Sequence, residues 1–194
     1  MRKFLLVVFV AFSSPFTYSV TIDLMQEYYD VVPLDVDNIR ISMMHASHLS
    51  DVSNAHHTIG NYIASTTVDR MVLVHEQGQC HASVFEMKLN GTMTLPRLAM
   101  GNYPLKLRQA FEDELNMLEQ HEKTHERIWQ TALEAFENDI QQLIVPDNQN
   151  CDQFINEINQ KMIKVLDDIG LENLKFDCIS YGKHLNFTQC NENY

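Results

Sequence analysis

FEDELNMLEQHEKTHERIWQTALEAFENDIQQL, residues 111–143, decides how this chain folds. Its apolar positions recur at spacings of three and four, through Phe111, Leu115, Leu118, Trp129, Ala132, Phe136, Ile140 and Leu143. That is the stripe of a helix buried along one face. Carrying the same phase across the polar gap lands on Glu122 and His125, with His121 three residues after Leu118. The helix therefore turns ionisable side chains toward a core, where each costs free energy unless it has a partner. A divalent cation is such a partner.

Within this helix His121-Glu122-Lys123-Thr124-His125 is an HExxH run. Two histidines four apart share a helix face, so both imidazoles can hold one ion, and Glu122 stands beside it as a base. The competing reading is a polar helix surface, or core histidines bonded to acids of the same helix such as Glu112, Asp113, Glu114, Glu119 and Glu126. A catalytic zinc needs three protein ligands and one open position, and a single helix supplies two. The extended metzincin pattern would put Gly at 128 and His at 131, but Ile128 and Thr131 stand there, which excludes that subclass. Glu157, in a following helix, and Glu172, in a later loop, are carboxylates that could complete the set.

The 194 residues suffice for one domain with a substantial core. Met1-Arg2-Lys3, the apolar run from Phe4 to Phe12 and then Ser13-Ser14-Pro15 have the layout of a secretory signal peptide. The run is too short to span a bilayer. Cleavage after Ser19, with Thr17 at the minus-three position, divides the chain into a signal peptide at 1–19 and a single domain at 20–194. No stable membrane insertion is expected after cleavage. Losing Arg2 and Lys3 moves the formal charge from −12 to −14, and no basic block remains, so nucleic acid is disfavoured as a partner.

Four cysteines behind such a leader point to two disulfides in an oxidising compartment. Of the three pairings, Cys80–Cys151 with Cys178–Cys190 is favoured. The first ties a strand to the start of a late helix, and the second closes a short C-terminal loop.

Tyr28 to Val32 reads as a short strand, followed by a helix through Ile39, Met43 and Leu49 capped by Asp35 or Asp37. Ile63 to His75 and Cys80 to Leu89 read as strands joined at Glu76-Gln77-Gly78-Gln79. Asn90-Gly91 marks either a turn into another strand at Thr92 to Leu95 or a bulge within one long strand. Pro96 ends the sheet region, the long helix runs from Pro104 to about Ile144, and a second runs from Cys151 to Ile169, ended by Gly170. Leu171 to Tyr194 reads as an ordered tail. The fold class is α+β: a small antiparallel sheet packed on the long HExxH helix and one or two further helices.

The order of these features resembles the bacterial secreted proteins of domain of unknown function 922. A strand with Cys80, then Thr94-Leu95-Pro96, the HExxH helix, and Cys151-Asp152 opening another helix carry the resemblance, which spans roughly Tyr28 to Gly182. Members are described as predicted zinc-dependent proteases, which implies a zincin-like fold, His121 and His125 as zinc ligands, Glu122 as base and a Cys80–Cys151 bridge. A C-terminal segment of the family is similar to Phe176-Asp177-Cys178-Ile179-Ser180-Tyr181-Gly182, with Tyr181 where the family has histidine. The third ligand is then expected among His184, Asp177 and Tyr181, in that order, because imidazole and carboxylate are ordinary zinc ligands and phenol is rare.

The resulting expectation is a periplasmic or secreted zinc peptidase acting on a peptide or protein substrate, with Glu122 and Tyr181 as catalytic groups. In it Glu122 moves the proton and Tyr181, if not a ligand, hydrogen-bonds the oxyanion. The alternative is a catalytically weak or inactive periplasmic protein that keeps the fold and binds a metal or a partner. His56-His57 offers a second metal-binding reading, on composition alone.

Overall fold

The structure is a computed structural model that describes residues 20–48, 58–146 and 150–185, with side chains described as far as residue 180. Its frame is a β-hairpin. β2 (Asn61–Glu76) and β3 (Gln79–Leu98) pair antiparallel across the two-residue loop Gln77-Gly78. Both loop residues have positive φ, 54° and 74°, which matches the right-handed twist of the flanking strands and suits glycine at the second position. β1 (Thr21–Val31) lies on the other side of β3 and runs parallel to it, from Thr21 opposite Lys88 to Val31 opposite Leu98. The expected strand at Tyr28 to Val32 is thus the end of a longer one, and the sheet is mixed. β4 (Val145–Pro146) pairs with Gln79 and Cys80, making four strands.

Asn90-Gly91 interrupts nothing: β3 continues through it, and the two irregularities of register fall elsewhere, at Asp69 of β2 and at Ser83 of β3, opposite Val72/Leu73. Strand pairing on both flanks overrides the local turn preference, and the Tyr62 ring lies where a Cβ of residue 91 would be. Pro96 does not end the sheet either. β2 stops opposite Thr94, so Pro96 has a strand on one side only, where a missing N–H is tolerated.

Phe85, Met87, Leu89, Met93 and Leu95 alternate along the inner face of β3 and are all buried. They pack on α2 (Leu105–Gln142), whose Leu118, Leu133, Phe136 and Ile140 supply the facing stripe. α1 (Ile39–Ala46) closes a smaller cluster of Val31, Ile39, Met43 and Phe111. Its first turn has no side-chain cap; Asp35 instead accepts the backbone N–H of Asp37 and of Asn38 at 2.9 Å, fixing the turn before the helix. Cys80–Cys151 joins the start of β3 to the residue before α3 (Asp152–Leu185), as expected. Cys178 is disulfide-bonded as well, and its expected partner Cys190 lies outside the described residues, as do the leader at 1–19 and His56-His57.

α3 does not end at Gly170. It runs on for fifteen residues to Leu185, converting the expected tail into helix. A glycine that caps a helix does so in the left-handed region, and Gly170 is not among the positive-φ residues. A Cβ there would meet nothing within 4 Å apart from its own helix. Gly170→Ala should therefore stabilise the protein by about 1 kcal/mol, the helix-propensity difference, read as a higher denaturant midpoint at unchanged slope.

Candidate metal centre

His121 and His125 project from the middle of α2, between the apolar contacts of Leu118 and Leu133, and α3 crosses them with Asn173, Phe176 and Asp177. Asp177 Oδ1 lies 3.0 Å from His121 Nε2 and 3.0 Å from His125 Nε2, and the two nitrogens are 3.1 Å apart. Three ligand atoms thus form a nearly equilateral triangle. Zinc at bond lengths near 2.05 Å spreads tetrahedral ligands to about 3.3 Å, and an octahedral ion at 2.1 Å spreads facial ones to about 3.0 Å. The three residues fit a small divalent cation by size and by donor type. Among the described residues they are the one group of histidines, cysteines and acids so arranged.

The surroundings fix both rings. His125 Nδ1 donates to Asn173 Oδ1 at 2.7 Å, which leaves Nε2 as the nitrogen with a lone pair toward the triangle. Phe176 stacks on His121 at 4.6 Å between centroids and meets His125 edge-on at 5.1 Å. Burial pushes the Asp177 carboxyl up, but the bonds from His121 and His125 outweigh it and hold it below the usual carboxylate range. Burial disfavours the charged form of His125; its bonds to Asp177 and Asn173 reverse that and raise its pKa.

Glu122 is 4% exposed and His125 9%, as the phase of the helix predicts. The Glu122 carboxylate lies against Gly60 at the entrance to β2, where a Cβ would stand 2.7 Å from Oε1. The backbone here is pinned by two hydroxyls: Tyr29 donates to Ile59 O and Ser47 to Thr58 O, each at 2.5 Å. Burial pushes the Glu122 pKa up to about 7, with His125 opposing and Asp177 reinforcing the shift.

Of the expected site residues, His121, His125 and Asp177 come together, with Glu122 beside them. Tyr181 and His184 belong to α3, but their side chains lie outside the described ones. Glu157 sits twenty residues before Asp177 on the same helix, about 30 Å away along its axis, and is not part of the group. Glu172 faces Lys175 at 3.6 Å. Asn173 and Phe176 had no role in the sequence reading because Gly170 hid the helix; once the helix is known, Asn173 at i−4 shares the face of Asp177, and Phe176, three residues after Asn173, lies beside that face.

Fold and site together define an α+β protein with a candidate two-histidine, one-carboxylate centre clasped between two helices. Residues 26–184 match the family described as Bacterial protein of unknown function (DUF922), and the chain belongs to that family. No curated protein and no solved structure matches it.

Two outcomes follow for the isolated protein. Asn173→Ala, which frees the His125 ring without removing a ligand atom, should weaken metal binding by about 10- to 100-fold in a competition titration. The raised pKa of Glu122 means that the metal-free fold binds its proton more tightly than the unfolded chain does. Stability from this group is full below about pH 4.5 and falls as pH rises to about 7. Glu122→Gln should therefore stabilise the metal-free protein at pH 8, by up to about 3 kcal/mol, and leave it little changed at pH 4.5.

Proposed function

We propose that this protein is a periplasmic or secreted zinc-dependent peptidase whose ion is held by His121, His125 and Asp177. The observation that carries the proposal is the convergence of Nε2, Nε2 and Oδ1 within 3.1 Å of one another beside the buried Glu122. Asp177 takes the third-ligand role ranked second from sequence, after His184.

Zinc held there would supply a Lewis acid for the substrate carbonyl and acidify a water molecule. Asp177 and the two imidazoles would hold the ion, and Asn173 keeps His125 in the tautomer that turns the Nε2 lone pair toward the other two ligand atoms. Glu122, its carboxylate set by the close backbone at Gly60, takes the proton from the attacking water and returns it to the leaving amine. Tyr181, one helical turn beyond Asp177, is the proposed donor to the developing oxyanion. The substrate is a peptide or unfolded protein. The extracytoplasmic setting is supported by the apolar leader-like run and the disulfide-bonded Cys80, Cys151 and Cys178.

A second reading, a catalytically weak or inactive metal-binding or partner-binding protein, is favoured by Tyr181 standing where the family resemblance has histidine. Hydrolysis separates the two. The zinc-loaded protein should cleave casein, and Glu122→Gln should lower the rate by at least about 10²-fold while still binding one equivalent of zinc. Asp177→Ala should lose the zinc itself. Purified protein that takes up no stoichiometric divalent metal removes both the peptidase and the metal-binding readings.

A further inference from the structure

β3 is paired along nearly all of its β2 side, but on the other side it meets β4 only at Gln79 and Cys80, and β1 only from Lys88 onward. Between them lie residues 81–87, with no strand beside them on that side among the described residues. Glu137 of α2 reaches into this gap. It is 2% exposed, its carboxylate accepts the backbone N–H of Met87, and Oε1 has no partner among the described residues.

Carrying the β1–β3 register one step back from Thr21 and Lys88 sets Val20 opposite Met87. Val20 is 7% exposed and packs in the same cluster as Leu133, Phe136 and Ile140, which flank Glu137 on α2. The carboxylate thus ends where β1 begins, and takes a backbone N–H that a strand extended back past Val20 would use. Burial pushes its pKa up and Glu86 and Glu134 add to the shift, against the lowering by the Met87 N–H, and among the described residues no cation pairs with it. A buried carboxylate with an unanswered oxygen calls for a cationic donor.

We propose that the Glu137 carboxylate is the receptor for the α-amino group of a chain cut between Ser19 and Val20. Hydrolysis of that bond by a signal-type peptidase consumes one water and leaves a carboxylate on Ser19 and an ammonium on Val20. An α-ammonium has a pKa near 8, carries a full charge at neutral pH and has donors enough to reach Oε1. The uncut amide has one N–H and no charge. Processing at this bond therefore completes the core as well as releasing the leader.

The test uses the full precursor, expressed with its own leader in a Gram-negative host and purified from the periplasm. Intact mass and terminal sequencing should give Val20 as the first residue. Cyanate should then carbamylate the native α-amine at least tenfold more slowly than the same amine in guanidinium. Glu137→Gln, or an Ala inserted between Ser19 and Val20, should restore fast modification. An unprocessed chain, a first residue other than Val20, or a native amine as reactive as the unfolded one overturns the proposal. In the last case Gln141, whose Nε2 is also without a partner among the described residues, becomes the partner for Oε1. If Glu137→Gln does not fold, the comparison of native with unfolded wild type decides alone.

Discussion

The contact on which the rest of the structure depends is the single oxygen of Asp177 that meets both imidazoles of α2. It is the point at which two long helices, otherwise joined through apolar contacts nearer the start of α3, are locked into one register. Everything around it serves to keep three polar atoms together in an apolar seam. Leu118 and Leu133 pack on either side along α2, Phe176 covers the rings, and Asn173 fixes the tautomer of one of them. Burial disfavours the charge on Asp177 and on His125, and the bonds between the carboxylate and the two imidazoles offset it.

The helix was legible because its phase and its chemistry agree. The three-and-four spacing from Phe111 to Leu143 foretells that Glu122 and His125 are buried, and so they are. The hairpin at Gln77-Gly78 and the Cys80–Cys151 bridge were legible for similar local reasons: a turn signal between two strand patterns, and an even cysteine count. What local signals misjudged were the places where tertiary context prevails. Asn90-Gly91 lies in a strand paired on both flanks, and Gly170 lies inside a helix held at Phe154, Ile158 and Ile169 by packing and at Asp177 by the histidines. The third member of the site was blurred for the same reason. Asp177 stood among the candidates, but the helix that sets Asn173 one turn before it is invisible until Gly170 is seen to continue that helix.

The buried carboxylates of α2 show two ways of handling an unfavourable charge. Burial pushes the Glu122 pKa up to about 7, with the His125 imidazole opposing the shift and the Asp177 carboxylate adding to it. Glu137, fifteen residues further along, accepts the backbone N–H of Met87, meets the repulsion of Glu86 and Glu134, and is flanked on α2 by residues that pack with Val20. One helix thus carries two buried carboxylates, one set beside an imidazole and the other bonded to the backbone of a strand.

α3 is anchored to β3 by Cys80–Cys151 at one end and, twenty-six residues later, delivers Asp177 to the histidines, a span of about 39 Å along its axis. A helix of that length behaves as a strut: a small change of angle at the fixed end is a large displacement at the other. The covalent bond at Cys151 holds one end of that strut, and the buried side chains of Phe154, Ile158 and Ile169 steady it on the way to Asp177. With Cys178 also disulfide-bonded, the stretch of α3 that meets the histidines lies between two covalent anchors of the chain.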